Sequence, residues 1–306
     1  MKPRDWVLFW SLGLIWGSSF LWIKIALQGI GPFGLVAWRL LIGVAGLAVV
    51  VAVRRPAFPR QRRIYGMLAL LGLTNTALPF LLISWGEQSI DSAVASILNG
   101  TVPLFAMVIA HFALQDDRMT RSRVVGLILG FLGVVVLMSG ELTPGGFARG
   151  GLGQLAVLLA AILYAFSGVF ARKNLHGLSP VVQAFVPLIV ADAFIWTGAI
   201  VAEAPVLTPS IPLAWFALLW LGLLGSCVAY LLYFSLLHSV GPTRATMVTY
   251  VFPVVGLVLG IIFLHEPLTL NLLIGAAMVV AGILVVNGAA LLRSLSSGGR
   301  AAEAEA

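Results

Sequence analysis

Ten apolar runs divide the chain, most of them about 20 residues long, which is enough to cross a hydrocarbon core of about 30 Å. Backbone N–H and C=O groups inside lipid must be hydrogen-bonded within the protein, so runs of this length predict helices. The chain is 60% hydrophobic and only 9% charged. We therefore predict an all-α polytopic membrane protein with ten transmembrane helices. The predicted spans are Trp6–Leu27, Phe33–Val53, Ile64–Trp85, Ala93–Leu114, Val124–Ser139, Leu152–Ala171, Val181–Ala202, Leu213–Leu237, Thr243–Phe263 and Leu272–Leu292.

Positive charge is concentrated on one predicted side of the membrane. If the amino terminus is cytoplasmic, ten spans place both termini and the even-numbered loops inside. These regions hold fifteen of the eighteen Lys and Arg residues: Lys2, Arg4, Arg54, Arg55, Arg60, Arg62, Arg63, Arg118, Arg121, Arg123, Arg172, Lys173, Arg244, Arg293 and Arg300. The positive-inside rule therefore predicts cytoplasmic termini and supports the count of ten spans. The net charge of +7 then reflects orientation and contact with anionic lipid, and nucleic acid is not an expected partner.

The second half of the chain repeats features of the first half. Two sets of residues, 150 positions apart, share the helical spacing i, i+4, i+7, i+11: Ser92, Ser96, Asn99 and Pro103, and Pro242, Thr246, Thr249 and Pro253. Further pairs at nearly the same offset are Trp16 with Tyr164, Ser19 with Ser167, Pro32 with Pro180, Gly126 with Gly275, and Gly133 with Gly282. These pairs predict one five-helix repeat at 1–143, a second at 150–292, and a disordered cytoplasmic tail at 293–306. Because five is odd, the two repeats would have inverted topology.

Both ends of this repeat pattern resemble the EamA family of the drug/metabolite transporter superfamily. The residues that carry the resemblance are Leu14–Phe20, Pro32 and Arg39 near the start, and Pro253, Gly260, Glu266–Thr269, Gly275 and Gly282 near the end. The resemblance implies a multi-pass protein of the bacterial inner membrane that exports amino acids, including aromatic ones. It also implies alternating access through a central pathway lined by spans 1, 3, 4, 6, 8 and 9. One departure is Asp116–Arg118, where the second copy has Glu266 and Pro267, and we interpret it as a different loop.

A candidate binding site follows from the polar faces and from the aromatic residues beside them. Aromatic rings with neutral hydrogen-bonding groups suit a zwitterionic or neutral amphipathic metabolite. The predicted substrate-binding residues are Trp16, Ser19, Asn75, Pro79, Ser96, Asn99, Tyr164, Ser167, Tyr230, Thr246, Thr249 and Tyr250. Pro103 and Pro253 are predicted hinges, because a proline inside a helix removes one backbone hydrogen bond. The alternative is that the prolines are ordinary membrane-helix residues, the hydroxyls bond their own backbone, and the aromatic rings only pack.

Charged residues within the predicted spans are few. Lys24 and Arg39 lie near the predicted outer ends of their spans, where they could extend to the interface or attract a carboxylate; the sequence leaves both interpretations open. Asp192 is the only carboxylate in the middle of a span, and we expect it to be protonated or bonded to a neighbouring helix. With so few carboxylates, facilitated export or exchange is favoured over tight proton coupling. Phosphorylated substrates are disfavoured, because no predicted midplane position carries Lys or Arg.

The sequence contains no motif for catalysis or cofactor binding. It lacks a GxxxxGK[ST] phosphate loop, an HExxH motif and a GxSxG motif, and its four histidines are not spaced as a metal site. We therefore expect no enzyme activity, no cofactor and no metal. We expect a monomer, since the pathway closes within one chain. The alternatives are a transporter of nucleotide-sugars or phosphorylated metabolites, a membrane enzyme acting on lipid, and a passive channel.

Overall fold

The computed structural model describes residues 2–114, 119–141, 150–175, 177–204, 208–240 and 247–286. Within these ranges the chain is helical and contains no strand. Eight helices are long and apolar enough to cross a membrane, and two more are shorter, which confirms the prediction of an all-helical membrane protein. They are α1 (Pro3–Ala26), α2 (Pro32–Arg54), α3 (Arg62–Gly86), α4 (Ser92–Ala113), α5 (Arg121–Met138), α6 (Leu152–Asn174), α7 (Pro180–Ala202), α8 (Pro212–Tyr233), α9 (Val248–Leu264) and α10 (Leu270–Val286). The predicted residue Thr246 and the tail at 293–306 lie outside the described ranges.

Proline marks the starts of four of these helices. Pro3, Pro32, Pro180 and Pro212 each occupy the first position, where the ring has a suitable φ and the missing N–H would have no intrahelical partner. The sequence-based starts of these spans fell a few residues later or on the following residue, because hydropathy marks the apolar run and leaves out the polar first turn.

Two of the long helices, α1 and α4, are each divided into two α-helical segments. In α1, the segments Pro3–Gly17 and Ser19–Ala26 are separated at Ser18. In α4, the segment Ser92–Asn99 ends before Gly100 and a new segment begins at Val102.

The two predicted hinge prolines lie at comparable places. Pro103 is the second residue of the segment that begins at Val102 in α4. Pro253 is the third residue of the α-helical segment Val251–Leu264 in α9, which follows a 3₁₀ turn. Pro103 therefore sits in the first turn of its segment, where its missing N–H would have no intrahelical partner, and Pro253 sits where α9 changes from a 3₁₀ turn to an α-helix. Pro253 packs against the interruption of α4, because a Cβ added at Gly100 would lie 2.8 Å from Pro253 Cγ.

Two segments of π-helix interrupt α3 and α8 at corresponding places in the two halves. They are Leu73–Ala77 in α3 and Trp220–Val228 in α8. The offset that relates Trp16 to Tyr164 also relates Leu73 to Leu221, so each segment lies at the same point of its repeat. A π segment widens the helix and weakens the regular i→i−4 bonding, which makes backbone carbonyls available to other donors.

Each half of the chain packs its first helix on the third and fourth helices of the other half. Helix α1 packs on α8 and α9, and the corresponding helix α6 packs on α3 and α4. Helix α2 packs on α7, and α4 packs on α9. Two contacts of α1 identify the two ends of the helix bundle. Asp5, near the start of α1, accepts a hydrogen bond from Ser239, and we call this end the Asp5 end. Lys24 of α1 meets Glu87 at the other, the Glu87 end.

Glycines bring α5 and α10 into backbone contact. A Cβ added at Gly126 would lie 2.6 Å from the carbonyl oxygen of Gly282, and one added at Gly133 would lie 2.8 Å from that of Gly275. The sequence pairs Gly126 with Gly275 and Gly133 with Gly282, so each glycine contacts the counterpart of the other. A twofold relation between two helices produces this reciprocal pattern. These glycines therefore form the surfaces by which the two helices pack.

A leucine at Gly133 should separate α5 from α10. The added side chain would meet backbone atoms on both sides of the contact, and overpacking of this kind costs about 1–3 kcal/mol. We expect a lower melting temperature for the purified Gly133→Leu variant in detergent. Gly66→Leu is the matched control, because Gly66 is exposed on α3 and an added Cβ there has no neighbour within 4 Å. Equal melting temperatures for the two variants would contradict the contact.

Candidate functional site

A cavity of about 280 Å³ lies between α1, α3, α4, α6, α8 and α9. These are the six helices that the family resemblance implies for the central pathway, and α2 contributes one further residue, Arg39. The lining combines aromatic rings with a few polar side chains, in the proportion usual for small-molecule pockets. The residues that line it are Trp16, Ser19, Phe20, Ile23, Arg39, Asn75, Phe80, Ile83, Asn99, Val102, Tyr164, Gly168, Gly225, Tyr230, Tyr233, Val248, Thr249 and Phe252.

Trp16 is the centre of an aromatic wall on one side of the cavity. Its ring lies edge-to-face with Tyr230 and with Phe252, at centroid distances of 6.1 and 5.9 Å. The Tyr233 ring is tilted against it at 5.7 Å. Aromatic pairs at these distances stabilise each other beyond their buried area, so the wall is held as one unit.

The π segment of α8 provides the acceptor that fixes the Trp16 ring. The indole Nε1–H of Trp16 donates to the carbonyl oxygen of Gly225 at 3.0 Å. Gly225 lies inside the segment Trp220–Val228, where a carbonyl is available because the i→i−4 pattern is broken. Trp16 is therefore oriented by a bond between the two halves of the chain.

Neutral polar groups lie around this aromatic wall. The Tyr230 hydroxyl interacts with the side chains of Asn75 and Thr76 on α3. Ser19 Oγ donates to the carbonyl oxygen of Ile15 in its own helix at 3.2 Å. Asn99 Oδ1 is buried and has no hydrogen-bond partner in the described part of the chain. An acceptor left without a donor costs free energy, so Asn99 is a good candidate to receive a hydrogen bond from a ligand.

Arg39 brings a positive charge to the cavity wall. Its side chain is only 4% exposed, which excludes for this residue the interpretation that it extends to the interface. Nε–H donates to Ser226 Oγ at 3.2 Å, and Cζ lies 3.8 Å from the centroid of the Phe80 ring. Arg39 is seven residues into α2, about 10 Å from the start of that helix. Arg39 is therefore a residue of this site, which its predicted place near the outer end of a span did not indicate.

Lys24, the other cation in the predicted spans, serves a structural contact. Its Nζ donates to the carbonyl oxygens of Glu87 at 2.6 Å and Ile90 at 2.7 Å, just beyond the carboxyl end of α3. A cation at a helix carboxyl terminus is favoured by the exposed carbonyls and by the helix dipole. The Lys24 contact ties α1 to the loop between α3 and α4.

Seven of the predicted substrate-binding residues lie together on the cavity: Trp16, Ser19, Asn75, Asn99, Tyr164, Tyr230 and Thr249. Pro79, Ser96, Ser167 and Tyr250 are not among its lining residues.

Two of these residues join helices instead. Ser96 is fully buried, and a Cβ added at Gly256 of α9 would meet its side chain. Its Oγ donates to Ala93 O within α4 at 2.8 Å. Ser167 Oγ donates to Thr74 Oγ1 of α3 at 2.7 Å. Small residues in this arrangement allow close helix packing.

Several lining residues did not stand out in the sequence. Phe20, Phe80, Tyr233 and Phe252 are aromatic residues among many in the chain, so composition gives no reason to select them. Gly168 follows Tyr164 by one helical turn on α6, which is the one signal that could have found it.

Two acidic side chains anchor helices at the Glu87 end. The Glu266 carboxylate accepts from the backbone N–H groups of Ser92 at 2.7 Å and Ala93 at 3.0 Å, at the start of α4. The Glu203 carboxylate accepts in the same way from Phe33 and Gly34 at the start of α2. A carboxylate at a helix amino terminus satisfies otherwise unpaired N–H groups and is favoured by the dipole. Glu266, part of the sequence motif quoted above, thus joins α9 to α4.

The remaining polar features lie away from this cavity. A larger cavity of about 630 Å³ opens at the Asp5 end, beside Arg4, Arg54 and Ser235, and contains no aromatic ring in its lining. Asp192 interacts with Trp196 one turn along its own helix, so the described contact is not with a neighbouring helix. In the described ranges no three His, Cys, Asp or Glu side chains group as a metal site.

Several known proteins are similar to this chain over most of its length. A probable terminal-alkyne amino-acid exporter of Streptantibioticus cattleyicolor is 30% identical, over 91% of this chain and 92% of that protein. The uncharacterized transporter YoaV of Bacillus subtilis is 26% identical over 89% and 93%. The uncharacterized inner membrane transporter YedA of Escherichia coli K12 is 27% identical over 85% and 82%.

The fold and the sequence pattern lead to the same family. A solved crystal structure that is 20% identical matches with a TM-score of 0.67, over 94% of this chain and 98% of that chain, which shows a shared fold. The pattern of the EamA-like transporter family matches twice, at residues 6–139 and 151–288. The chain is therefore a multi-pass membrane protein that belongs to the EamA-like transporter family.

Proposed function

We propose that the protein is a secondary transporter that exports small metabolites, with aromatic and other neutral amino acids as its substrates. The observation that carries this proposal is the cavity between six helices, with its aromatic wall and its neutral hydrogen-bonding side chains. Its volume of about 280 Å³ lies near the lower end of the range for ligand pockets, about 300–1,000 Å³, and suits a small ligand. The relative described as a probable amino-acid exporter supports the same substrate class.

The proposed mechanism is alternating access between two five-helix repeats of inverted topology. The exchanged packing of α1 on α8 and of α6 on α3 supports this architecture, as does the reciprocal contact of the glycines in α5 and α10. The proposed repeats are 1–143 and 150–292. The charge distribution supports cytoplasmic termini, and the similarity to YedA supports the bacterial inner membrane.

Pro103 and Pro253 are the proposed flexible points. Each lies in the first turn of a segment that follows a change of helix geometry, and Gly100 brings the two places into contact. A helix that is already interrupted bends there without losing further backbone hydrogen bonds. Transport of this kind leaves the substrate chemically unchanged and uses its gradient or the membrane potential.

Counterflow in proteoliposomes tests the proposed function. Vesicles holding the purified protein are preloaded with unlabelled Phe, Trp, Tyr, Met or Thr, and accumulation of the labelled amino acid is measured. We expect saturable accumulation that protein-free vesicles lack. In the Asn99→Ala variant this accumulation should fall about tenfold or more, since a hydrogen bond to a charged group of the substrate contributes about 1.5–3 kcal/mol.

Thr197→Ala is the control, because its hydroxyl is exposed and donates to Ala193 O in its own helix. It should transport as the parent does. Absence of counterflow across the panel would overturn the amino-acid assignment. Counterflow with a nucleotide-sugar or a phosphorylated metabolite instead would favour the alternative substrate class, while flux without saturation would indicate a channel.

A further inference from the structure

We infer that Arg39 binds the carboxylate of the substrate, so that the cavity selects molecules that carry a free carboxylate group. This inference rests on the proposed transport function and names the group by which its substrate would be recognised. It goes beyond the sequence, where Arg39 had two open interpretations.

Arg39 carries a permanent charge in a place where a charge is costly. Its guanidinium stays protonated at any physiological pH, so burial cannot be relieved by loss of a proton. The side chain is 4% exposed and lies along a membrane-spanning helix, among apolar and aromatic residues. Charged side chains at such positions usually face a cavity and have a functional partner.

The protein itself provides an incomplete set of partners for this guanidinium. Nε–H is bonded to Ser226 Oγ, and one face of the group lies against Phe80. Across the described ranges, no carboxylate forms an ion pair with Arg39, and neither Nη group has a hydrogen-bond acceptor. Tyr164, Tyr230 and Glu87 are near enough to interact with it electrostatically, and the Glu87 carboxyl oxygens make no hydrogen bond in the described structure.

The two Nη groups are placed to serve a ligand. Arg39 lines the cavity, and its Nη2 lies close to Gly225, 3.7 Å from the position that a Cβ would take there. Gly225 and Ser19, which also lies near this position, line the same cavity, so Nη2 is beside the wall that a ligand would meet. A planar guanidinium with two unoccupied N–H₂ groups matches the two oxygens of a carboxylate.

A second polar group on the cavity suits the other charge of an amino acid. Asn99 Oδ1 is buried without a donor in the described structure, and it lies on α4, whereas Arg39 is on α2. An ammonium group has three donors and no acceptor, so it fits an amide oxygen. The remaining wall around Trp16 is aromatic and uncharged, which suits an apolar side chain.

Competition binding on the full-length protein in detergent tests the inference. Labelled phenylalanine is displaced by unlabelled phenylalanine, by phenylalaninamide, which lacks the carboxylate, and by 3-phenylpropionate, which lacks the ammonium. We expect the parent protein to bind phenylalanine about tenfold or more tightly than the amide. In Arg39→Gln, affinity for phenylalanine should fall to that for the amide, whereas affinity for the amide should not change.

Two further variants separate recognition from folding. Arg39→Lys keeps the charge without the planar fork, and should keep part of the preference for phenylalanine over the amide. Lys24→Gln removes a cation whose described hydrogen bonds go to backbone carbonyls outside the cavity, and this variant should keep all of the preference. If the parent protein binds phenylalanine and its amide equally, the inference is overturned even though the proposed transport function stands.

Other outcomes distinguish the inference from the proposed function. Binding of labelled 3-phenylpropionate that is lost in Arg39→Gln, without binding of any amino acid, would sustain the carboxylate site and overturn the amino-acid assignment. Tighter displacement by phenyl phosphate than by either carboxylate would overturn the carboxylate inference in favour of a phosphate group. Failure of every carboxylate probe to bind the parent protein would overturn it as well.

Discussion

Replacing Gly168 by leucine is expected to abolish counterflow without lowering the melting temperature. Gly168 lines the cavity on α6, one turn after Tyr164, and a Cβ added there has no neighbour within 4 Å. A leucine would therefore extend into the cavity without displacing protein atoms. In a cavity of about 280 Å³ such a side chain occupies the place of the substrate. Leucine also has a higher helix propensity than glycine, which is about 0.8–1.0 kcal/mol less favourable than alanine in a helix, so α6 should not be weakened.

Gly66→Leu is the matched control for this experiment. Gly66 on α3 is exposed, as Gly168 is, and also has no neighbour within 4 Å of an added Cβ, but it does not line the cavity. Counterflow by Gly66→Leu should equal that of the parent. Normal counterflow by Gly168→Leu would show that the substrate does not pass through this cavity. A similar loss in both variants would point to an effect of the added leucine that is independent of position.

Replacing Glu87 by glutamine is expected to raise the melting temperature at neutral pH and to remove a decline of stability with pH. Glu87 follows α3 directly, is fully buried, and neither carboxyl oxygen has a hydrogen-bond partner in the described structure. Burial raises the pKa of the Glu87 carboxyl well above its usual range; Lys24 and Arg39 oppose this change, and Glu266 adds to it.

The direction of the pH effect follows from this raised pKa. Above about pH 4.3, the usual value for glutamate, the unfolded chain loses the Glu87 proton while the folded protein keeps it. The folded state then binds more protons than the unfolded state, so stability falls as pH rises until the folded pKa is passed. Glutamine cannot ionise and should lack this contribution. The difference between Glu87→Gln and the parent should therefore widen from pH 4.5 to neutral pH, in thermal unfolding of the purified protein.

Glu203→Gln supplies a control with the opposite expected sign. Both oxygens of that carboxylate accept hydrogen bonds from backbone N–H groups at the start of α2. Glutamine has one acceptor oxygen, so it would leave one of the two N–H groups without a good acceptor. Its melting temperature should therefore be lower than that of the parent. Parallel pH curves for the parent and Glu87→Gln would contradict a neutral Glu87 in the folded protein.

The helical architecture could be predicted from the sequence, because lipid leaves a long apolar segment no other way to bond its backbone. The spacing of Ser92, Ser96 and Asn99 also predicted correctly that these residues share one region of α4. Spacing identifies a shared face and does not identify what that face meets. The structure places Ser92 and Ser96 against the glycines of α9, and only Asn99 reaches the cavity.

Arg39 and the π segments could not be placed from the sequence. Distance along the chain from Pro32 put Arg39 near the end of a span, but its burial depends on α3 and α8, which supply Phe80 and Ser226. The segments Leu73–Ala77 and Trp220–Val228 have the composition of ordinary membrane helix. A π segment follows from how tertiary contacts accommodate an extra residue in a turn, and propensity carries no information about that.

The reciprocal glycine contact between α5 and α10 also limits how the two halves of the chain can change in evolution. In a dimer of identical subunits, one mutated codon would alter both crossings at once. In this single chain the crossing of Gly126 with Gly282 and that of Gly133 with Gly275 are encoded separately. Each half can therefore diverge in its cavity residues, as Trp16 and Tyr164 have. At these crossings, however, a larger residue in either half would meet the backbone of the other half. These positions therefore cannot change in one half independently of the other.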